Sequence, residues 1–569
     1  MIEDLAALVG DVCLRTDLAI VGAGPAGIVT ALEVAKSGID VLLIESGQEK
    51  FDPSIQALSD AGEWDEHRHA PMSMAVTRQI GGTSAIWGGR CVPYDPVDFA
   101  SRPFVRSIPW PVTYEELSQY FQRACDWLVC GRAAFIASEM PHLPDAIVPG
   151  MVDGNVTTST FERWSLPTDF GKTYSGQLRH SAHVRVVTGA TCVEVVCPRE
   201  TTRAEYLECR TLAGKRIKVQ ARVFVLACGG LEGTRLLMES SGPQGGELGN
   251  ESGHLGRWYM SHAEGIVANV RFSTPPRSTI YGYERDIDGV YVRRRFAFTK
   301  EFQLAQELPN VVAWLGNPDL SDAHHKSGAL SFAYLTLSSP FGPKLAPDAM
   351  RLALTGIEVP GSPYPPGDVT SRGSHLVNIL CDPVSTCRFI VGFGSKRFLS
   401  PGRRAPGFFC YSKANVYPLQ YHGEHLPNSN SRVNLVRETD AVGRRKLRID
   451  LRFSDADVEG VIRAHERWDA YLRSCGVGQI EYLHRDVGAA VERRLGGGFH
   501  QVGTTRMSAT PSGGVVDKNL AVYGVRNLYV ASSSTFVTAG QANSTFMIIA
   551  FAIRLADRLR NELRTPLAS

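Results

Sequence analysis

Residues 17–47, DLAIVGAGPAGIVTALEVAKSGIDVLLIESG, constrain the fold of this chain more than any other stretch. Residues 18–21 read as a short buried strand, and glycines 22, 24 and 27 form a GxGxxG turn. Ile28, Ala31, Leu32 and Ala35 then recur at helical spacing, Gly38 stops the helix, and residues 41–44 make a second strand. The three glycines do different things. Gly22 turns tightly, Gly24 lets backbone approach a pyrophosphate, and Gly27 lets helix and strand pack closely. The helix N-terminus offers free N–H groups and partial positive charge to phosphates. Glu45 closes the second strand 18 residues after Gly27, where its carboxylate accepts from ribose hydroxyls and disfavours a 2′-phosphate. The unit predicts a parallel α/β sheet that binds a dinucleotide other than NADP. FAD and NAD are not separated by these residues.

Length and composition narrow the class further. With 569 residues the chain has material for three to four domains and can bury a large core without disulfides. Its 60 basic and 58 acidic residues nearly cancel, so neither a nucleic-acid groove nor a polybasic membrane patch is expected. The twelve cysteines include no CxxC, which reads as reduced, mostly buried thiols. MIEDLAALVG opens with two acids and makes a poor signal peptide. The longest apolar runs, such as residues 546–553, fall far short of the roughly 20 needed to span a bilayer. A cytoplasmic protein with no nucleic-acid and no membrane partner is expected.

Three more segments separate FAD from NAD. They are RQIGGTSAIWGGR (residues 78–90), VFVLACGGLEGTRLL (223–237), and residues 500–559, HQVGTTRM…NLYVASSSTFVTAGQANSTFMIIAFAIRLADRL. Together with EHLPNSNSRVNL at 424–435 they resemble the glucose–methanol–choline (GMC) family of FAD-dependent oxidoreductases, in order and from about residue 17 to the end. The wording is nearest its pyranose-oxidase and cellobiose-dehydrogenase members. The resemblance implies an α/β fold (α+β overall) of two lobes. A Rossmann-type FAD-binding domain would take 1–100, 176–262 and 486–569; a substrate-binding domain, 101–175 and 263–485, would roof the flavin with an antiparallel sheet. It also implies cofactor contacts at Gly82, Ser84, Trp87, Val193, Ser532, Asn543 and Thr545, beside Gly22, Gly24, Gly27 and Glu45. For Trp87, stacking near the flavin and filling the core are equally open readings.

The family's catalytic pair falls on His500 and Asn543, 43 residues apart. Alcohol oxidation removes a hydroxyl proton and a hydride from the same carbon, and FAD supplies the hydride acceptor. A base of near-neutral pKa points to histidine. The plain alternative for His500 is a surface or capping residue; its Gly496–Gly498 run is expected to be flexible enough to set an imidazole against a ring face. For Asn543 the alternative is a helix N-cap, a role compatible with holding a substrate oxygen at the positive end of a helix. Arg235 reads as a packing or ion-pair residue. The proline-dense residues 340–370 exclude a long helix or central strand and read as a surface loop or a substrate lid. Residues 454–472 read as a structural amphipathic helix opened by a Ser454–Asp457 capping box.

The expected substrate is a sugar, glycoside or other polyol, with an aminoglycoside hydroxymethyl group among the candidates. The electron acceptor, O2 or another, is left open. Non-redox or photochemical flavoproteins of the same fold, a lyase or a decarboxylase, are the competing class. A two-dinucleotide reductase is disfavoured because no second strand–GxGxxG–helix unit is written in the chain. No metal is expected. Some family members carry a His two positions beyond the Ser of GGxS that bonds covalently to flavin; here Ile86 stands there, so the FAD is expected to be non-covalent. Acid precipitation should therefore release the flavin to the supernatant, and yellow colour retained by denatured polypeptide on a gel would overturn the expectation.

Overall fold

The computed structural model describes residues 1–5, 12–140, 143, 146–165, 168–199, 201–362 and 364–564. Pro363, one of the prolines in 340–370, lies outside the described residues. The opening β-α-β unit forms as its pattern predicts, with strands Val12–Val21 and Val41–Ile44 around the helix Pro25–Ala35. The first strand begins six residues before its buried end, because its outer half pairs with the long strand Arg216–Leu226. The sheet runs Ile2–Asp4, Val184–Thr188, Val41–Ile44, Val12–Val21 and Arg216–Leu226, all parallel, and continues antiparallel through Tyr206–Arg210 and Thr191–Val196. Leu528–Val530 adds in parallel to the far end of Arg216–Leu226, which joins the C-terminal region to the same layer.

A second sheet is antiparallel throughout. Its order is Gly478–Tyr482, His262–Phe272, Val416–Glu424, Val311–Leu315, Tyr291–Phe298, Val156–Trp164 and Arg90–Cys91. The amphipathic helix Asp455–Ser474 covers it, with the expected capping box at Ser454 and Asp457. Its Trp468 stacks on Phe298 at 5.3 Å between ring centres. Each sheet has its own apolar core, which is what a two-lobed α/β molecule requires.

The cores do not divide where the sequence placed the lobe boundaries. Trp110, Leu117, Phe121 and Trp127, assigned to the substrate lobe by the 101–175 boundary, pack into the first core. So do Val433, Leu447 and Ile449 from the small sheet made by Arg432–Thr439, Arg445–Asp450 and Glu63–Trp64. The reason is side-chain chemistry on the helix Phe121–Leu128 and its neighbour. Phe121 meets Phe546 edge-on at 5.2 Å. Trp127 Nε1 and Arg123 Nη2 donate to the buried Glu33 carboxylate of the first helix at 2.8 and 2.9 Å.

All twelve cysteines are free thiols. Among the described residues, 340–370 hold only short helices, Gly342–Lys344 and Asp348–Ala353, as their prolines require. Among the described residues no single helix is long and apolar enough to cross a membrane, although the bent pair Arg372–Cys381 and Pro383–Leu399, meeting at 95°, has that length and composition jointly.

Gly27 tests the packing logic. A Cβ built on it would stand 1.9 Å from the Gly22 carbonyl oxygen, which is backbone and cannot swing aside. Gly27→Ala should therefore force helix and strand apart, at a cost of roughly 1–3 kcal/mol or more. A lowered thermal midpoint together with poorer flavin content is the expected result, measured by melting and by absorbance of the purified protein.

Candidate active site

A long cleft runs along the carboxyl ends of the parallel strands, where open α/β sheets bind ligands. Gly22, Gly24 and Glu45 border one end; Gly82, Ser84, Trp87, Ser532, Thr545 and His500 border the rest. Gly22 has φ +101°, and a Cβ there would lie 2.6 Å from the Ala227 carbonyl oxygen. Gly24 differs, because a Cβ on it meets nothing within 4 Å and the space it leaves is the cleft itself. No side chain caps the helix that follows Gly24, so its N-terminus remains available to an anion. This cradle fits a dinucleotide pyrophosphate.

Glu45 is fixed by two backbone donors, the N–H groups of Ala23 and Gly47, each 2.8 Å from one carboxylate oxygen. Burial raises its pKa, and those two donors pull against the rise. Trp87 borders the cleft, packs against the first core, and donates from Nε1 to the Thr168 carbonyl at 2.8 Å. Val193 is placed differently. Its side chain packs with Ile55, Leu58 and Val442, while its neighbours Thr191 and Cys192 face the cleft. Ile86 is 48% exposed and outside the lining. Arg235 is buried and spends its guanidinium on Asp440 (2.7 Å) and nearby carbonyls, a structural part as expected.

The structure brings His500 and Asn543 together, with Asn543 Nδ2 2.9 Å from His500 Nε2. Arg90 decides their orientation. Its Nη1 donates to Asn543 Oδ1 at 2.6 Å, so the amide nitrogen must face the imidazole. His500 Nε2 is then the acceptor, carrying the lone pair a general base needs. Arg90 is in turn held by Glu162, whose oxygens take Arg90 Nη2 at 2.5 Å and Arg293 Nη2 at 2.6 Å. Burial and the Arg90 charge depress the His500 pKa to about 4, so the ring is neutral across the physiological range.

The glycine run before His500 is clamped rather than flexible. A Cβ on Gly497 would meet Ser261 Cβ at 2.6 Å, one on Gly496 the Gly361 nitrogen at 2.7 Å, and one on Gly498 the His69 ring at 3.0 Å. These glycines are needed for close approach from three sides. Residues 340–370 supply one of those sides through Pro360 and Gly361.

Sequence reasoning missed a buried polar cluster beside His500, behind the residues that line the cleft. His262 and Glu264 on one strand pair with Glu424 and His422 on the next, in the register His262↔Glu424 and Glu264↔His422, so all four share one face. His262, His422 and His500 each bring one ring nitrogen within 4.8 Å of the others'. His422 Nδ1 donates to the Gln541 carbonyl at 2.5 Å, two residues before Asn543, and its Nε2 lies 3.7 Å from Glu264 Oε2. His262 is buried with neither ring nitrogen hydrogen-bonded. Burial holds both ring pKa values well below the usual histidine range and pushes the Glu264 carboxyl up to about 8. The available signal was a repeated His-x-Glu triplet, His262-Ala263-Glu264 and His422-Gly423-Glu424.

Comparison with known proteins agrees with this geometry. A family described as GMC oxidoreductase matches residues 427–552, and one described as FAD binding domain matches residues 15–58. A 2-methyl-1,2-propanediol dehydrogenase of Mycolicibacterium austroafricanum is 22% identical over 95% of each chain. Paromamine 6′-oxidase of Streptomyces fradiae is 25% identical over 45% of this chain and 55% of its own. In structure, pyridoxine 4-oxidase from Mesorbium loti superposes with TM-score 0.54 at 17% identity, over 96% of this chain and 99% of its own. A fungal aryl-alcohol oxidase follows at TM-score 0.51 and 15% identity, over 97% and 99%. FAD is the cofactor. Glu45→Lys should weaken FAD roughly 10–100-fold by removing charge-assisted acceptors. Glu45→Gln, which keeps one acceptor oxygen, should fall between; titration of apoprotein with FAD, followed by flavin fluorescence, measures both.

Proposed function

We propose that this chain, a member of the GMC family of FAD-dependent oxidoreductases, oxidises a CH–OH group of a polyhydroxylated small molecule: a sugar, glycoside or polyol. The observation that carries the reading is His500, oriented by Asn543 and Arg90, beside a buried polar cluster in which His262 has no hydrogen-bond partner. An unpartnered polar group in such a cluster is costly until a ligand satisfies it. Neutral imidazoles can each donate and accept, and Glu264 with its raised pKa is mostly the neutral acid at pH 7, able to donate. Vicinal hydroxyls match that set. Relatives named as a propanediol dehydrogenase and as oxidases of 6‴-hydroxyparomomycin C and paromamine support a hydroxyl-rich substrate, an aminoglycoside hydroxymethyl group among them.

Bound FAD supplies the hydride acceptor. The chain's own work is on the oxygen. The substrate hydroxyl takes over the His500 Nε2 lone pair that Asn543 Nδ2 otherwise occupies; Nε2 then accepts the hydroxyl proton while Asn543 Nδ2, kept from flipping by Arg90, donates to the same oxygen. The N-terminal end of Thr545–Arg564 borders the cleft and sets a partial positive charge there. We read the FAD as non-covalent, since Ile86 offers no nucleophile and stands outside the lining.

His500→Ala should retain FAD and slow flavin reduction by an alcohol about 10²–10⁴-fold, the usual contribution of a positioned base. The pH profile supplies a second readout. With the His500 pKa lowered to about 4, the base is unprotonated at all higher pH, so parental reduction should fall only as pH drops through about 4. His500→Ala should lack that limb. Anaerobic stopped-flow across pH measures both, and parental rates in His500→Ala would remove His500 from the mechanism.

A further inference from the structure

The helices Arg372–Cys381 and Pro383–Gly394, continued by Ser395–Leu399, show apolar side chains on their outward faces. A helix on a water-facing surface buries its apolar side and shows its polar one. Here the first helix turns a polar side inward, and the second turns in Thr386 together with the rings of Phe389 and Phe393, which pack on Phe408. His375 is buried with Nδ1 3.0 Å from Ser331 Oγ, Asn378 Nδ2 donates to the Ala323 carbonyl at 2.8 Å, and Thr386 is buried with its hydroxyl donating to the Asp382 carbonyl at 2.7 Å. The outward side is apolar: Leu380 is 78% exposed, Val384 69%, Val391 70% and Leu399 79%. Leu376 and Leu380 stand one turn apart on the first helix, and Val384 and Val391 two turns apart on the second with the exposed Arg388 between them, so the outward face is apolar with a basic residue set into it. Among the described residues, eight of the 23 exposed large apolar side chains fall within positions 376–399. Scattered singly such residues need no explanation, but a contiguous patch does.

Charge selects what covers the patch. Residues 372–404 carry Arg372, Arg388, Lys396, Arg397, Arg403 and Arg404 against a single acid, Asp382, a net of +5, whereas the whole chain is only +2. A second copy of this chain would bring two such basic segments together. An anionic surface with an apolar interior satisfies both the stripe and the charge. The two helices jointly have the length and composition of a membrane span but meet at 95°, so they form no single straight span.

We propose that the bent helical pair at residues 372–399 docks this protein on the surface of an anionic lipid bilayer, its outward apolar stripe entering the headgroup boundary and the adjoining arginines and lysine meeting lipid phosphates. This departs from the expectation of no membrane partner, which rested on the whole-chain charge balance and the short apolar runs. Neither measure registers a stripe that alternates with polar residues and faces outward.

Co-sedimentation of purified holoenzyme with vesicles tests the proposal, using phosphatidylcholine alone or with about one quarter phosphatidylglycerol, at about 0.15 M salt. The parent should pellet with the anionic vesicles at least roughly tenfold more than with the neutral ones. Leu380→Glu/Val391→Glu/Leu399→Glu should lose that binding, and Arg388→Glu/Lys396→Glu should weaken it, while both keep the parental flavin spectrum and turnover in solution. Those positions are solvent-facing, so folding should be unaffected. Parent remaining in the supernatant, equal binding to neutral vesicles, or undiminished binding by the triple variant would each overturn the proposal. So would a stable parental dimer in sedimentation velocity that the triple variant converts to monomer, since a second copy would then cover the patch.

Discussion

The contact on which the site depends is the buried ion pair of Arg90 with Glu162. Glu162 lies in the antiparallel sheet, while Arg90 reaches Asn543, just before the last helix of the parallel-sheet lobe. One guanidinium thus joins the two layers at the point where the base is oriented. Two charges so deeply placed pay a large desolvation penalty, and such pairs are weak arguments for stability. What this pair supplies is direction: a planar fork with one arm on a carboxylate and one on an amide fixes which atom of Asn543 faces His500. Lysine, a single compact cation, could not hold both.

Legibility in the sequence follows the range of the interactions. The β-α-β unit was readable because its turn, helix and strands are neighbours in the chain, and Gly22, Gly24 and Gly27 each found the separate surroundings their spacing demands. His500 and Asn543, the pair proposed for catalysis, were reached through resemblance; the structure adds that they are hydrogen-bonded. Arg90 and Glu162 were not legible as a pair, since 72 positions separate them and only sheet pairing makes them meet. The polar cluster is a stronger case. Each His-x-Glu triplet is ordinary alone, and only the antiparallel register of His262–Phe272 with Val416–Glu424 puts four ionisable side chains on one face.

The lobe boundaries and the glycine loop both turn on contacts between residues far apart in the chain. Sequence order suggested that residue 100 ends one lobe, but Glu33 captures Arg123 and Trp127, and those long-range bonds keep the Phe121–Leu128 helix on the first core. At 496–498 the residues read as freedom, because glycine is permissive. The structure uses them for the opposite purpose, since Ser261, Gly361 and His69 come too near for any Cβ. The imidazole is aimed by crowding. Pro360 and Gly361 thereby tie the proline-dense segment to the base, which a freely swinging lid would not do.

A histidine with its pKa depressed to about 4 is a weak base, and the site compensates through the same charge that depresses it. Arg90, only partly offset by Glu162 because Arg293 shares that carboxylate, creates a positive potential beside His500, where the proposed mechanism puts the substrate oxygen. That potential opposes a proton on His500, and it equally favours negative charge on the oxygen giving the proton up. The driving force for transfer depends on the difference between donor and acceptor pKa values, and a field felt by both changes that difference less than either value alone. Burial acts less evenly, since it penalises an imidazolium and an alkoxide at once and favours a transfer in which neither is fully formed. The arrangement therefore suits proton loss that proceeds together with hydride loss from the same carbon, so that little charge accumulates on the oxygen or the ring. Asn543 fits this account: a neutral amide donor steadies a partial charge without adding another full one to the site.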